Sequence, residues 1–286
     1  MKLNRSCYLL FVICLISLTG CSKKSPPPPT SSEAHQKLIK ICKEEFKENI
    51  TLKDVGKTLW IYFPMKENMF EIKASRPSEE ENKDPKTKQV VRFIDGSFKD
   101  ESFHIKYDII SNKIYSKSYG YASSYSEIYQ RKQRQIFDAF SRAYLEANPG
   151  PEFIVFVIAD ITNGVESENI LYFKDLKESL TVSPEEYLKR VVSDLRGSLD
   201  IINDTTGTHL KYLEITMPNF LAKQIINRIN FKYQRSSFPP ENDPVTEIKS
   251  ILSETFQAYE FRDYQSVELE DLDKLKTTTI LRTELN

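Results

Sequence analysis

"FIVFVIADI", Phe153 to Ile161, is apolar at every position except Asp160. Successive side chains of a strand point to opposite faces, so a run without polar alternation needs apolar cover on both sides. The stretch therefore predicts the central strand of a sheet. Asn148-Pro149-Gly150-Pro151 lies directly before it and ends any preceding helix.

Upstream of that strand, apolar spacing is helical from about Ser124 to Ala147, with Ile136, Phe137, Phe140, Tyr144 and Ala147 on one stripe. Earlier still, "VVRFI" and "FHIKYDII" flank an Asp95-Gly96 turn signal and predict antiparallel strands. "TLWIYFP", Thr58 to Pro64, predicts another strand. A first helix is expected near 33–49, where Leu38, Cys42 and Phe46 recur every fourth residue.

Downstream, Ser183-Pro184-Glu185-Glu186 forms a capping box with proline at the first helical position. Tyr187, Leu188, Val191, Val192 and Leu195 follow at helical spacing, and Gly197 stops the run. "HLKYLEIT", His209 to Thr216, alternates as a strand does. Helices are expected near 219–234 and from Pro244 to about Tyr259, with Asp243 as cap, and "SVELE" and "TTTILRT" predict two short final strands.

Together these elements predict an α+β fold, a mixed sheet with amphipathic helices packed on it. Recurrence of helix before strand suggests two lobes, 33–165 and 183–286. "RPSEEENKDPKTKQ", Arg76 to Gln89, has no apolar residue able to join a core and predicts a mobile charged insertion.

The N-terminus follows a different logic. Lys2 and Arg5 precede the apolar run Tyr8 to Leu18, which has the length of an export signal and is short for a membrane span. Leu18-Thr19-Gly20-Cys21 then resembles the lipobox of bacterial lipoproteins. That resemblance implies that residues 1–20 are removed and that Cys21 becomes the lipidated first residue. It also implies a membrane attachment through acyl chains, at about 0.8 kcal/mol per buried methylene. Residues 21–32 then form a linker in which Pro26 to Pro29 favour the extended polyproline conformation, about 3.1 Å per residue. Ser22 stands where many lipoproteins retained at the inner membrane carry aspartate, so the resemblance favours the outer membrane, facing the periplasm. The inner membrane is the alternative, with Lys23 and Lys24 against anionic headgroups.

Four cysteines become one in the folded part, Cys42, once Cys7 and Cys14 leave and Cys21 is lipidated, so no internal disulfide forms. Loss of Lys2 and Arg5 from the 40 basic and 41 acidic residues brings the formal charge to about −3. Nothing in that balance suggests a nucleic-acid partner. His35, His104 and His209 stand apart from one another and from acidic or cysteine partners at ligand spacing. No nucleophile elbow, phosphate loop or dinucleotide fingerprint is present. No metal, cofactor or catalytic residue is therefore assigned.

Two local features remain. Asp160 ends the apolar strand, where a carboxylate serves as base or ligand in some folds and as a turn cap in others. Tyr121, Tyr125 and Tyr129 lie in a tyrosine- and serine-rich stretch and share a helical spacing; tyrosine's broad apolar face with a polar tip suits both ligand binding and packing. Nearby "QRKQRQ", Gln130 to Gln135, reads as a solvated basic helix face. The leading expectation is a non-enzymatic envelope protein that binds or scaffolds a protein partner. The alternatives are an envelope hydrolase acting on cell-wall or glycan material around Asp160, and a ligand-capture module built on the tyrosines.

Overall fold

The computed structural model describes residues 29–74, 86–114, 121–178, 183–235 and 243–285. The expected leader, Cys21 and the linker up to residue 28 lie outside the described residues, as do 76–85 of the charged insertion.

The main sheet has five strands in the order β1-β2-β7-β8-β9: β1 Thr51–Val55, β2 Thr58–Met65, β7 Phe153–Asp160, β8 Val165–Tyr172 and β9 Val192–Gly197. β2 and β7 run parallel and the other pairs antiparallel. β7 is the middle strand and every one of its residues is buried. Phe153, Val155, Val157 and Ala159 enter one core, and Ile154, Phe156 and Ile158 enter the other.

The second of these cores is closed by α1 (Ser31–Ile41) and α2 (Glu127–Tyr144). α1 contributes Ala34, Leu38 and Ile41, the following turn Cys42, and α2 Ile136, Phe140 and Tyr144. Burial pushes the Cys42 thiol up to about 11, helped by the charge of Glu48, so this cysteine behaves as a small apolar side chain. The first core is closed by α5 (Met217–Arg235), α6 (Pro244–Ala258) and a second sheet ordered β11-β10-β5-β4. Its strands are β4 Lys86–Lys99, β5 Ser102–Ile114, β10 Ser266–Asp271 and β11 Lys276–Leu281, with β5 and β10 parallel. A two-stranded ribbon pairs β3 (Phe70–Ala74) with β6 (Tyr121–Tyr125). Among the described residues no helix is long and apolar enough to cross a membrane.

The α+β class and the mixed sheet with packed helices stand as expected. The two expected lobes are interleaved: residues 51–65 share a sheet with 192–197, and residues 86–114 share one with 266–281. β5 has an apolar face, Phe103, Ile105 and Tyr107; the helix α6 packed on it and the strand β10 paired beside it both come from the other end of the chain. Lys86 to Gln89 belong to β4 rather than to the charged insertion, and Gln89 is buried.

Three further corrections are local. The helix opened by Ser183 ends at Arg190 as α4 (Pro184–Arg190), and 192–197 pair with β8. Arg190 is turned inward to Asp175 at 2.6 Å, while the Gln224 and Asn227 amides of α5 donate to the Arg190 and Val191 carbonyls. Helix continuation loses to those contacts. α2 starts at Glu127, not 124, because Ser126 caps it, accepting from Tyr129 N at 3.2 Å. His209 to Thr216 is not a strand; its backbone is held by side chains, described next.

Candidate functional site

β8, "VESENILY", places four polar residues in the interior: Glu166, Ser167, Glu168 and Asn169 are all buried. On the α2 face, Asn169 donates to Ser167 Oγ at 3.0 Å and accepts from Ser193 Oγ at 2.7 Å. On the α5 face, the two glutamates floor a cleft of about 600 Å³ whose walls include Trp60, Arg196, His209, Leu213 and Lys223.

Each glutamate is met by cations. Arg196 approaches Glu168 at 2.7 Å and also Asp194 at 3.1 Å, with Lys223 3.7 Å from Glu168. Glu166 Oε2 lies 2.7 Å from His209 Nε2, and the other ring nitrogen, Nδ1, lies 2.6 Å from Asp204 Oδ2. Both nitrogens facing carboxylates makes both of them donors, the state of an imidazolium. Burial disfavours that charge, but the hydrogen bonds to Asp204 and Glu166 outweigh burial and raise the His209 pKa. For Asp204, burial pushes upward and is likewise outweighed, here by the His209 side chain and by the His209, Thr206 and Gly207 N–H groups, so its carboxyl is held far below the usual range. Gly207 has φ +76°, a left-handed conformation that this tight loop requires and glycine adopts without strain.

Residues 204–216 form a strap laid along β2. Tyr62 Oη donates to the Asp204 carbonyl at 2.6 Å, Trp60 Nε1 to the Leu213 carbonyl at 2.9 Å, and Ile215 N to Thr58 Oγ1 at 2.8 Å. Lys57 N donates to Glu214 Oε1 at 3.0 Å. The strap's residue alternation imitates a strand, but among the described residues no neighbouring backbone supplies a ladder.

Asp160 is 2 % exposed. Its carboxylate accepts from the N–H groups of Met69 at 2.9 Å, Thr162 at 3.1 Å and Asn163 at 2.9 Å, and from Asn163 Nδ2 at 2.8 Å. It closes the β7–β8 turn onto the 66–69 loop, and among the described residues no acid–base partner is bonded to it, so a hydrolytic reading through Asp160 gains nothing from the geometry. Tyr129 is buried; Tyr125, 42 % exposed, is stacked between it at 4.6 Å and Phe70 at 5.1 Å. Tyr121 and Tyr125 belong to β6 and only Tyr129 to α2, so the three do not share a helix face. The 66–69 loop brings Asp160 near the cap of Tyr129's helix, where Ser126 Oγ donates to the Asn68 carbonyl at 2.7 Å. Asp160, Tyr125 and Tyr129 do not line the cleft. In "QRKQRQ", Lys132 turns inward to Glu48 at 3.1 Å and Glu67 at 2.9 Å.

No protein-family model matches the chain, and neither a curated protein nor a solved structure matches it. Among the described residues no group of three His, Cys, Asp or Glu is arranged to hold a metal ion. The cleft had one local signal in the sequence, Asp204 five residues before His209 across Gly207. Glu166, 43 residues from His209, gave none.

Proposed function

We propose that this chain is a lipid-anchored cell-envelope protein whose folded body binds a protein partner rather than turning over a substrate. The observation behind the binding half is that the acids of the cleft floor are each locked by a cationic group, Glu168 by Arg196 and Glu166 by His209. General acid–base and nucleophilic catalysis require a group free to exchange its partner with substrate. Here those charges hold the strap and the edge strand in place. A crosslinking pull-down from intact envelopes is expected to recover one protein reproducibly; repeated recovery of none counts against the reading.

The anchoring half rests on Leu18-Thr19-Gly20-Cys21 behind an apolar run, and Ser22 favours the outer membrane facing the periplasm. Cys21→Ala is expected to abolish incorporation of a fatty-acid probe. Retention of label in that variant would remove Cys21 as the attachment site.

A further inference from the structure

We infer that an extended basic segment of a partner protein docks between β9 and β4, adding a strand to the β9 edge. This rests on the partner-binding reading above and specifies the surface and the chemistry of that partner.

Among the described residues both strands end their sheets, β9 the main one and β4 the second. The 600 Å³ cleft continues into a groove of about 430 Å³, and Gly96 and Lys223 line both. The continuous trough thus has β9 on one side, Ile94 to Ser97 of β4 on the other, and Ala222, Ile226 and Asn227 of α5 as floor. β4 crosses that helix at Gly96, where an added Cβ would lie 2.9 Å from Ile226 Cδ1. Two sheet edges flank one groove.

The backbone of β9 offers pairing groups to that side. Gly197 stands opposite Val165, and Ser198 N donates to the Gly164 carbonyl at 2.9 Å. By the alternation of an antiparallel ladder, Ser193, Leu195 and Gly197 then direct N–H and C=O away from β8. Among the described residues Leu195 N reaches only its neighbour's side chain, Asp194 Oδ1, at 2.9 Å. An unpaired edge of this kind is a template for an incoming strand. Charge selects the occupant. The six acids that line the trough outnumber its four cations, Arg196, His209, Lys211 and Lys223, by two. A strand on β9 with cations on its α5-facing side places them beside Asp194, and apolar residues on its other side meet Leu195, which is 49 % exposed.

The test uses the full mature chain in detergent micelles, with a seven-residue alternating Lys–Val peptide as probe and the Glu–Val peptide as control. Saturable binding of the Lys–Val peptide is expected, about tenfold tighter than the control, the effect of a few cross-strand charge pairs. Hydrogen exchange should slow at the Ser193 and Gly197 amides, with Asp194 and Arg196 unchanged. Leu195→Pro removes a donor that points away from β8 and should weaken binding while leaving the fold intact; Asp194→Lys should reduce the preference for the basic peptide while releasing Leu195 N from its side-chain acceptor. Equal binding of both peptides, no saturable binding, or protection appearing away from β9 and β4 would overturn the inference. Where envelope crosslinking recovers a partner and the Lys–Val peptide fails, the groove assignment falls alone. Where both fail, the partner-binding reading falls with it.

Discussion

Phe156→Ala is expected to destabilise the fold by about 3–5 kcal/mol, the range for emptying a fully enclosed aromatic site. Phe156 sits on the middle strand and is 1 % exposed, stacked on Phe137 at 4.5 Å and edge-on to Phe140 at 5.4 Å. β2 and β8 hold β7 from both sides through continuous ladders, so the backbone is poorly placed to close the cavity. At roughly 2–4 °C per kcal/mol for a domain of this size, the thermal midpoint should fall by roughly 6–20 °C. Phe156→Leu, which keeps most of the volume, is expected to cost far less. Calorimetry of the two variants decides it; a loss below about 1 kcal/mol for the alanine variant would contradict the enclosure that the two cores impose.

His209→Ala is expected to cost about 3 kcal/mol, the lower end for breaking a buried ionic pair, because Asp204 keeps its backbone donors while Glu166 loses its imidazolium. Hydrogen exchange should quicken at residues 205–211 well before the core. In the unaltered protein the same interaction makes stability depend on pH. A histidine raised in the folded state contributes fully below its unfolded value, about 6.5, and loses that contribution as pH rises through the folded value. Asp204, held low, contributes above its unfolded value near 3.9 and loses that as pH falls further. Denaturant midpoints should therefore be highest between about pH 4.5 and 6.5 and decline above pH 7, and the decline should vanish in His209→Ala. A pH profile unchanged by the substitution would show that the imidazolium does not hold the strap.

The contrast between β7 and β8 shows where sequence is informative. Phe153 to Ile161 announces its two-sided burial through its own composition, and the alternation of Val267 and Leu269 announces the one-sided burial of β10. β8 buries as deeply, yet its interior holds Glu166, Ser167, Glu168 and Asn169, and the two glutamates are covered by ion pairs with Arg196, Lys223 and His209. Those partners are distant in the chain, and no local period records them. The over-extended helix after Ser183 failed for a related reason. Leu188 and Leu195, counted toward an apolar stripe, are both exposed, while polar Arg190 is the side chain drawn inward, so tertiary ion pairing overrode a pattern that propensity supported.

The candidate site was still less legible. Asp160 and the tyrosines attracted attention because their residue types are chemically versatile, but hydrogen bonds to the β7–β8 turn absorb Asp160, and stacking with Phe70 and with each other absorbs Tyr125 and Tyr129. His209 was visible only as an isolated histidine. Its meaning comes from a strap that crosses β2 and from a carboxylate on β8, a juxtaposition made by topology.

That strap also carries a built-in reporter. The chain contains one tryptophan, and it is Trp60, whose indole N–H is committed to the Leu213 carbonyl and whose ring meets Tyr212 edge-on at 5.5 Å. Its intrinsic fluorescence comes from a single environment, the seam between strap and sheet. Lifting of the strap therefore registers as a red shift of that emission, and an optical titration of the label-free protein follows the seam directly.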